Sequence, residues 1–105
     1  MAGTQRFIDV FGHTVELATE RWLHVLEAHQ ELKVLEDLIP KTLQAPDVVM
    51  SSVHDPKARL YYRFFDQVWH GKYLVVVVQS NHQRAILTAY LTDKIKRGER
   101  LWPSS

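Results

Sequence analysis

Cysteine is absent from the 105 residues, which excludes a disulfide framework, an Fe–S cluster, a thiolate zinc site and a cysteine nucleophile. Glycine and proline are scarce, with four of each, and no collagen-like or low-complexity repeat is present. The longest unbroken apolar run, Tyr73 to Val78, falls far short of the ~20 residues needed to span a bilayer. Met1 to Asp9 carries neither a basic n-region nor an apolar h-region, so no signal peptide is expected. These absences predict a soluble cytoplasmic protein with no membrane attachment. Nucleotide-cofactor chemistry has no support, because GxGxxG and GxxxxGK[ST] are both missing. Metal schemes lack HExxH, DxDxDG and clustered carboxylates. His24 and His29 stand about 140° apart on a helix and cannot form an i,i+4 ligand pair. Pro46-Asp47 matches the opening of a metal-dependent nuclease motif, but no Glu-x-Lys follows on a strand. No serine sits in a strand-turn-helix elbow. The expectation is a site with no metal and no cofactor.

What the chain does contain is ordinary for one globular domain spanning residues 1–105: 46% apolar and 24% charged residues, enough to build a core at this length. Charge is segregated although the formal net charge is only +1. Residues 1–52 hold four bases against eight acids, and residues 53–105 hold nine bases against four acids. Such a field either attracts a polyanion to one side of the molecule or reflects two solvated faces of opposite sign.

Periodicity predicts the elements. Phe7 to Phe11 and Thr14 to Leu17, around Gly12-His13, read as a small hairpin. A helix follows, with Thr19 as N-cap and Glu20 in the first turn. Trp22, Val25, Leu26 and His29 share its apolar face, while His24 points away with Glu20 and Glu27. Leu32 to Leu43 continue a helical pattern that Pro40 either kinks or splits. From Val48 the period becomes two, with strands starting at Val48 and over Arg59–Phe65, Tyr73–Gln79 and Arg84–Thr92, joined as an antiparallel meander. Asp93 to Gly98 reads as one helical turn ended by Gly98. The predicted architecture is α+β: N-terminal helices packed on one face of a four-stranded antiparallel sheet, with the small hairpin preceding them.

Alternation sorts the strand residues. Leu60, Tyr62 and Phe64 share one face and Arg59, Tyr61 and Arg63 the other, while Leu87, Ala89 and Leu91 oppose Thr88 and Tyr90. With helices over Leu87, Ala89 and Leu91, the free face would show Thr88 and Tyr90 beside Arg59, Tyr61 and Arg63. Such a cationic, phenolic platform suits a phosphodiester or an unstacked base. Among the histidines, His24 and His29 are the candidates for proton transfer. His13, His54, His70 and His82 fall in or beside turns.

The order of these residues is similar to a known group. Glu20-Arg21-Trp22-Leu23-His24-Val25, His29, Glu31-Leu32 and Pro46-Asp47-Val48 form its N-terminal part. Leu60-Tyr61-Tyr62-Arg63, Tyr73 to Val78, Thr88-Ala89-Tyr90 and Lys96-Arg97-Gly98-Glu99-Arg100-Leu101-Trp102 complete it. Together, over residues 19–102, the chain resembles the small nucleases of the barnase–EndoU–colicin–RelE superfamily, in the branch associated with phages and mobile elements (PBECR-type). The resemblance implies a metal-independent endoribonuclease. One of His24 and His29 would act as acid/base, Arg63 with Thr88 and Tyr90 would hold the phosphate, and Arg59, Tyr61 and Lys94 would line the substrate path. Where the family often carries Arg-His-Pro, this chain has Ala28-His29-Gln30, so a positive charge is missing there. RNA is the implied substrate, and an antitoxin or immunity protein the implied partner. The competing reading is a non-catalytic α+β module that binds RNA or a protein through the same sheet face.

Overall fold

The computed structural model describes residues 3–81 and 83–104, so His82 lies outside the described residues. Thr4–Ile8 (β1) and Thr14–Ala18 (β2) form the N-terminal hairpin, Phe7 facing Val15 across it. Its turn is tied by the Asp9 carboxylate, which accepts from the amides of Phe11 and His13 at 3.0 and 2.8 Å. Helix α1 (Thr19–Ala28) buries Trp22 and Val25. Thr19 is its first residue and not its cap, since its hydroxyl instead exchanges hydrogen bonds with the Gly3 backbone. A 3₁₀ turn over Gln30–Val34 separates it from α2 (Leu38–Gln44). The apolar pattern from Leu32 to Leu43 is therefore split, with Pro40 in the first turn of α2, where its missing N–H costs no helical bond.

Four further strands follow: β3 (Val48–Ser51), β4 (Ala58–Phe65), β5 (Lys72–Ser80) and β6 (Arg84–Thr92). The last strand, β7 (Arg100–Trp102), pairs back onto β3. All seven lie in one sheet in the order β1-β2-β6-β5-β4-β3-β7. The expected four-stranded antiparallel sheet beneath N-terminal helices is corrected by this finding: among the described residues the fold is a mixed α+β with a seven-stranded sheet and two α-helices. Two pairings make the difference. The hairpin joins the sheet through a short parallel contact, Val15 opposite Arg84 and Glu16 opposite Ala85. At the other edge, β7 adds Trp102 opposite Val49. Asp93 to Gly98, expected as a helical turn, are irregular chain that leads through Glu99 to β7.

The larger core gathers Trp22, Val25, Leu32, Ile39 and Leu43 with Tyr61, Leu74, Val76, Val78 and Ala89. Burying side chains such as Ile39 and Leu43 stabilises the fold by about 1.5–3 kcal/mol each. A smaller cluster, Val48, Leu60, Tyr62 and Val75, with Tyr73, Val77 and Tyr90 packed on it, occupies the opposite face of the same strands. Among the described residues no helix is long and apolar enough to cross a membrane.

Candidate active site

Register decides which predicted residues meet. Tyr62, Val75 and Tyr90 lie in one row across β4, β5 and β6, and Leu60, Val77 and Thr88 in the next. Tyr61 instead aligns with Val76 and Ala89, and Arg63 with Leu74 and Leu91. Thr88 and Tyr90 therefore share a face with Leu60 and Tyr62, while Arg59, Tyr61 and Arg63 are on the opposite, core-forming side. The expected platform combining all five is corrected accordingly. Tyr61 is fully buried and donates to Asp9 at 2.5 Å, so it offers nothing to a substrate. Arg63 donates to the Ala45 carbonyl at 3.0 Å and lies over the Phe65 ring. Arg59 lies over the Phe11 ring, 5.1 Å from its centroid. Asp47 is also occupied: its carboxylate accepts from the Phe64 amide at 2.6 Å.

The two histidines separate as well. His24 is on the outer side of α1, its side chain 72% exposed, with its Nδ1 3.8 Å from Glu27. His29 follows the last residue of α1 with a non-helical backbone (φ −134°, ψ 70°), which frees it from the helical spacing. Its ring lies 6.4 Å from the ring of Tyr90, the planes inclined by 35°. Glu31 stands 3.6 Å from its Nδ1. A third polar group arrives from the chain after β6. The Lys96 ammonium is 5.4 Å from the centroid of the same Tyr90 ring, while the Lys96 amide donates to the Tyr62 hydroxyl at 3.1 Å. Lys94 is exposed on that same segment.

Tyr90 is thus flanked by an imidazole and an ammonium. Its hydroxyl is buried and, among the described residues, makes no hydrogen bond of normal geometry. Burial pushes the Tyr90 phenol above its ordinary value, opposed in part by the neighbouring Tyr62 hydroxyl. Burial does the same to Tyr62, against the lowering effect of the Lys96 amide. Both phenols are neutral at physiological pH, as tyrosines are below about 10, and burial extends that range upward. Tyr73 packs edge-on against Tyr62 and Phe64, at 6.1 and 5.3 Å between centroids, and Phe64 is 47% exposed. The face away from the main core is therefore aromatic and hydroxyl-bearing, with its cations supplied by residues 93–99 and not by β4.

Lys96 and Tyr62 are the site residues that sequence reasoning missed. No periodicity reports a loop that folds back across a sheet, although Gly98 carried a local hint. Among the described residues no group of three or more histidines, aspartates or glutamates is placed to hold a metal ion. Compared with protein-family models, with curated proteins and with solved structures, the chain finds no match.

Proposed function

We propose that the chain is a small metal-independent endoribonuclease, of the kind its sequence resembles, acting at the His29–Tyr90 edge of the sheet. The observation that carries this reading is the packing of His29 against one side of Tyr90 with Lys96 over the same ring. Glu31 orients the His29 imidazole, which takes the proton of a ribose 2′-hydroxyl; imidazole is suited to this because it titrates near neutrality. The freed oxygen attacks the adjacent phosphorus, giving a 2′,3′-cyclic phosphate, and the 5′-oxygen leaves with a proton from water. Lys96 offsets the charge that develops on the phosphate, and Thr88 supplies a neutral hydroxyl donor from the face of β6 on which the Tyr90 ring, its own hydroxyl buried, is the packing surface for His29 and Lys96. Removing one such donor typically costs about 10²–10³ in rate. Aromatic side chains Phe64 and Tyr73 offer stacking surface for bases, worth roughly 1–3 kcal/mol each in comparable platforms.

In this reading RNA is the substrate, the cytoplasm the setting, and an antitoxin or immunity protein the second partner, covering the Lys94–Arg97 side. His24 and Arg63 have no part in the chemistry. Incubation of the purified chain with mixed-sequence RNA in EDTA tests it: fragments ending in 2′,3′-cyclic phosphate are expected, and 2′-O-methyl RNA should remain intact. A non-catalytic RNA-binding module is the second reading. It is favoured by the engagement of Arg63 with Ala45, which leaves the phosphate without the expected guanidinium. That reading predicts binding of both RNAs and cleavage of neither.

A further inference from the structure

Residues 93–99 are fastened to the sheet at several points. Asp93 pairs with Lys72 on β5 at 2.5 Å, and the Lys94 amide meets the Thr92 hydroxyl at 3.3 Å. The Lys96 amide donates to Tyr62. Glu99 and Ser51 then exchange two bonds: the Ser51 amide donates to the Glu99 carbonyl at 2.8 Å, and the Glu99 amide donates to the Ser51 hydroxyl at 3.1 Å. Gly98 passes so close that a Cβ there would sit 2.3 Å from the Ser51 carbonyl oxygen. Backbone anchors of this kind hold the strap that bears Lys96 and Arg97 in one place, so less ordering is left to occur on binding.

Beneath the strap is a partly enclosed cavity of about 60 Å³, lined on one side by Ser51, Ser52, His54, Lys96 and Arg97 and on the other by an apolar wall that includes Leu60 and Tyr62. That is several times the room one water needs. Arginine and lysine bring cationic donors, the serines bring hydroxyls, and His54 adds an imidazole; the carboxylate next to it, Asp55, accepts from the Lys57 amide. The cavity opens beside the proposed reaction site, since Lys96 both lines it and covers Tyr90. Tyr62 and Tyr90 share a row two strands apart, about 10 Å between their backbones at the usual strand spacing, and their hydroxyls are neighbours.

We infer that this cavity is a second phosphate site, which takes a neighbouring phosphodiester of the RNA strand whose scissile phosphate is at His29 and Tyr90. The inference rests on the endoribonuclease reading for the strand's direction and cleavage, and on the strap alone for binding. Arg97 is its main contact, through a planar fork matched to two phosphate oxygens. His54 and the serine hydroxyls complete the ring of donors. A substrate with a single phosphodiester cannot fill the cavity while it is being cut, whereas a longer strand fills both positions.

The experiment compares a dinucleotide with a tetranucleotide as substrates for the parent chain and for Arg97→Ala. On the tetranucleotide kcat/KM should fall roughly tenfold, the scale of one charge-assisted hydrogen bond. On the dinucleotide it should stay within about twofold, because binding outside the reacting phosphate is then not used. In parallel, binding of a 2′-O-methyl tetranucleotide is followed against salt. Arg97→Ala should flatten the slope of log K on log salt by about 0.7, the contribution of one phosphate contact on a single strand. Equal losses on both substrates, or an unchanged salt slope, would overturn the second site. If no RNA is cleaved, the endoribonuclease reading fails by itself. The salt slope then decides the cavity on its own: flattened upholds it, unchanged removes it.

Discussion

Tyr61 and Asp9, 52 positions apart in sequence, meet in the core, where the phenol donates to the carboxylate at 2.5 Å. Asp9 is only 4% exposed, and its other oxygen accepts from two amides of the β1–β2 turn. One carboxylate therefore closes the hairpin and ties it to β4. Tyr61→Phe removes one charged acceptor's partner and should cost about 1.5–3 kcal/mol. Asp9→Ala strands the phenol and both amides and should cost more than Tyr61→Phe. Urea unfolding of the two variants beside the parent measures both differences.

Alkaline pH should weaken the fold. Burial first, then the hydrogen bond and charge of Asp9, push the Tyr61 phenol well above its ordinary value, against the opposing charge of Arg59. Tyr62 and Tyr90 are raised by burial. A group whose folded value is raised contributes stability that is complete below its unfolded value, about 10 for tyrosine, and is lost as pH climbs from there toward the folded value. Denaturation midpoints should thus be insensitive to these phenols at neutral pH and drop above about pH 10. Tyr61→Phe should show a shallower alkaline drop than the parent.

The β4–β5 turn stores backbone strain. Trp69 and His70 have φ of 45° and 64°, followed by Gly71 at 103°, and a left-handed conformation costs an ordinary residue roughly 1–2 kcal/mol. His70 is exposed, so little packing is lost when it is replaced. His70→Gly should raise stability by about 0.5–1 kcal/mol, since glycine returns part of the relief as chain entropy. Gly71→Ala should do the opposite, because its Cβ would lie 2.6 Å from the Phe64 ring in addition to the φ penalty. At Gly12, where φ is 82° and the space is open, the alanine variant should lose only the conformational part, about 1 kcal/mol. Thermal melts of the three variants give the order directly.

Local pattern carried much of this molecule. The Arg84–Thr92 strand was legible to the residue, because β-branched and aromatic residues fill it between polar turns. So was the sorting of Leu60, Tyr62 and Phe64 from Tyr61 and Arg63, which follows from alternation alone. What could not be read was which faces join. Val75 to Val78 on β5 are apolar on both sides, so the central strand places no constraint on register. Either β4 face could have aligned with Tyr90. The seventh strand and the parallel β2–β6 contact are long-range pairings of short segments, and Arg100–Trp102 is too short to show a period. At the site, His29 was legible as a candidate beside His24, but the choice between them was not, because it depends on α1 ending at Ala28. Lys96 was not, because its place over Tyr90 depends on the strap's tertiary anchors.

The comparison of His29→Ala with His24→Ala in an RNA cleavage assay reaches the centre of this account. Both histidines belong to the same N-terminal segment, but only His29 touches the Tyr90 edge. Loss of a general base is worth about 10²–10⁴ in rate, so His29→Ala should fall by at least the lower of these while His24→Ala keeps the parent's rate. Equal loss in the two variants, or a fully active His29→Ala, would contradict the assignment of catalysis to that edge.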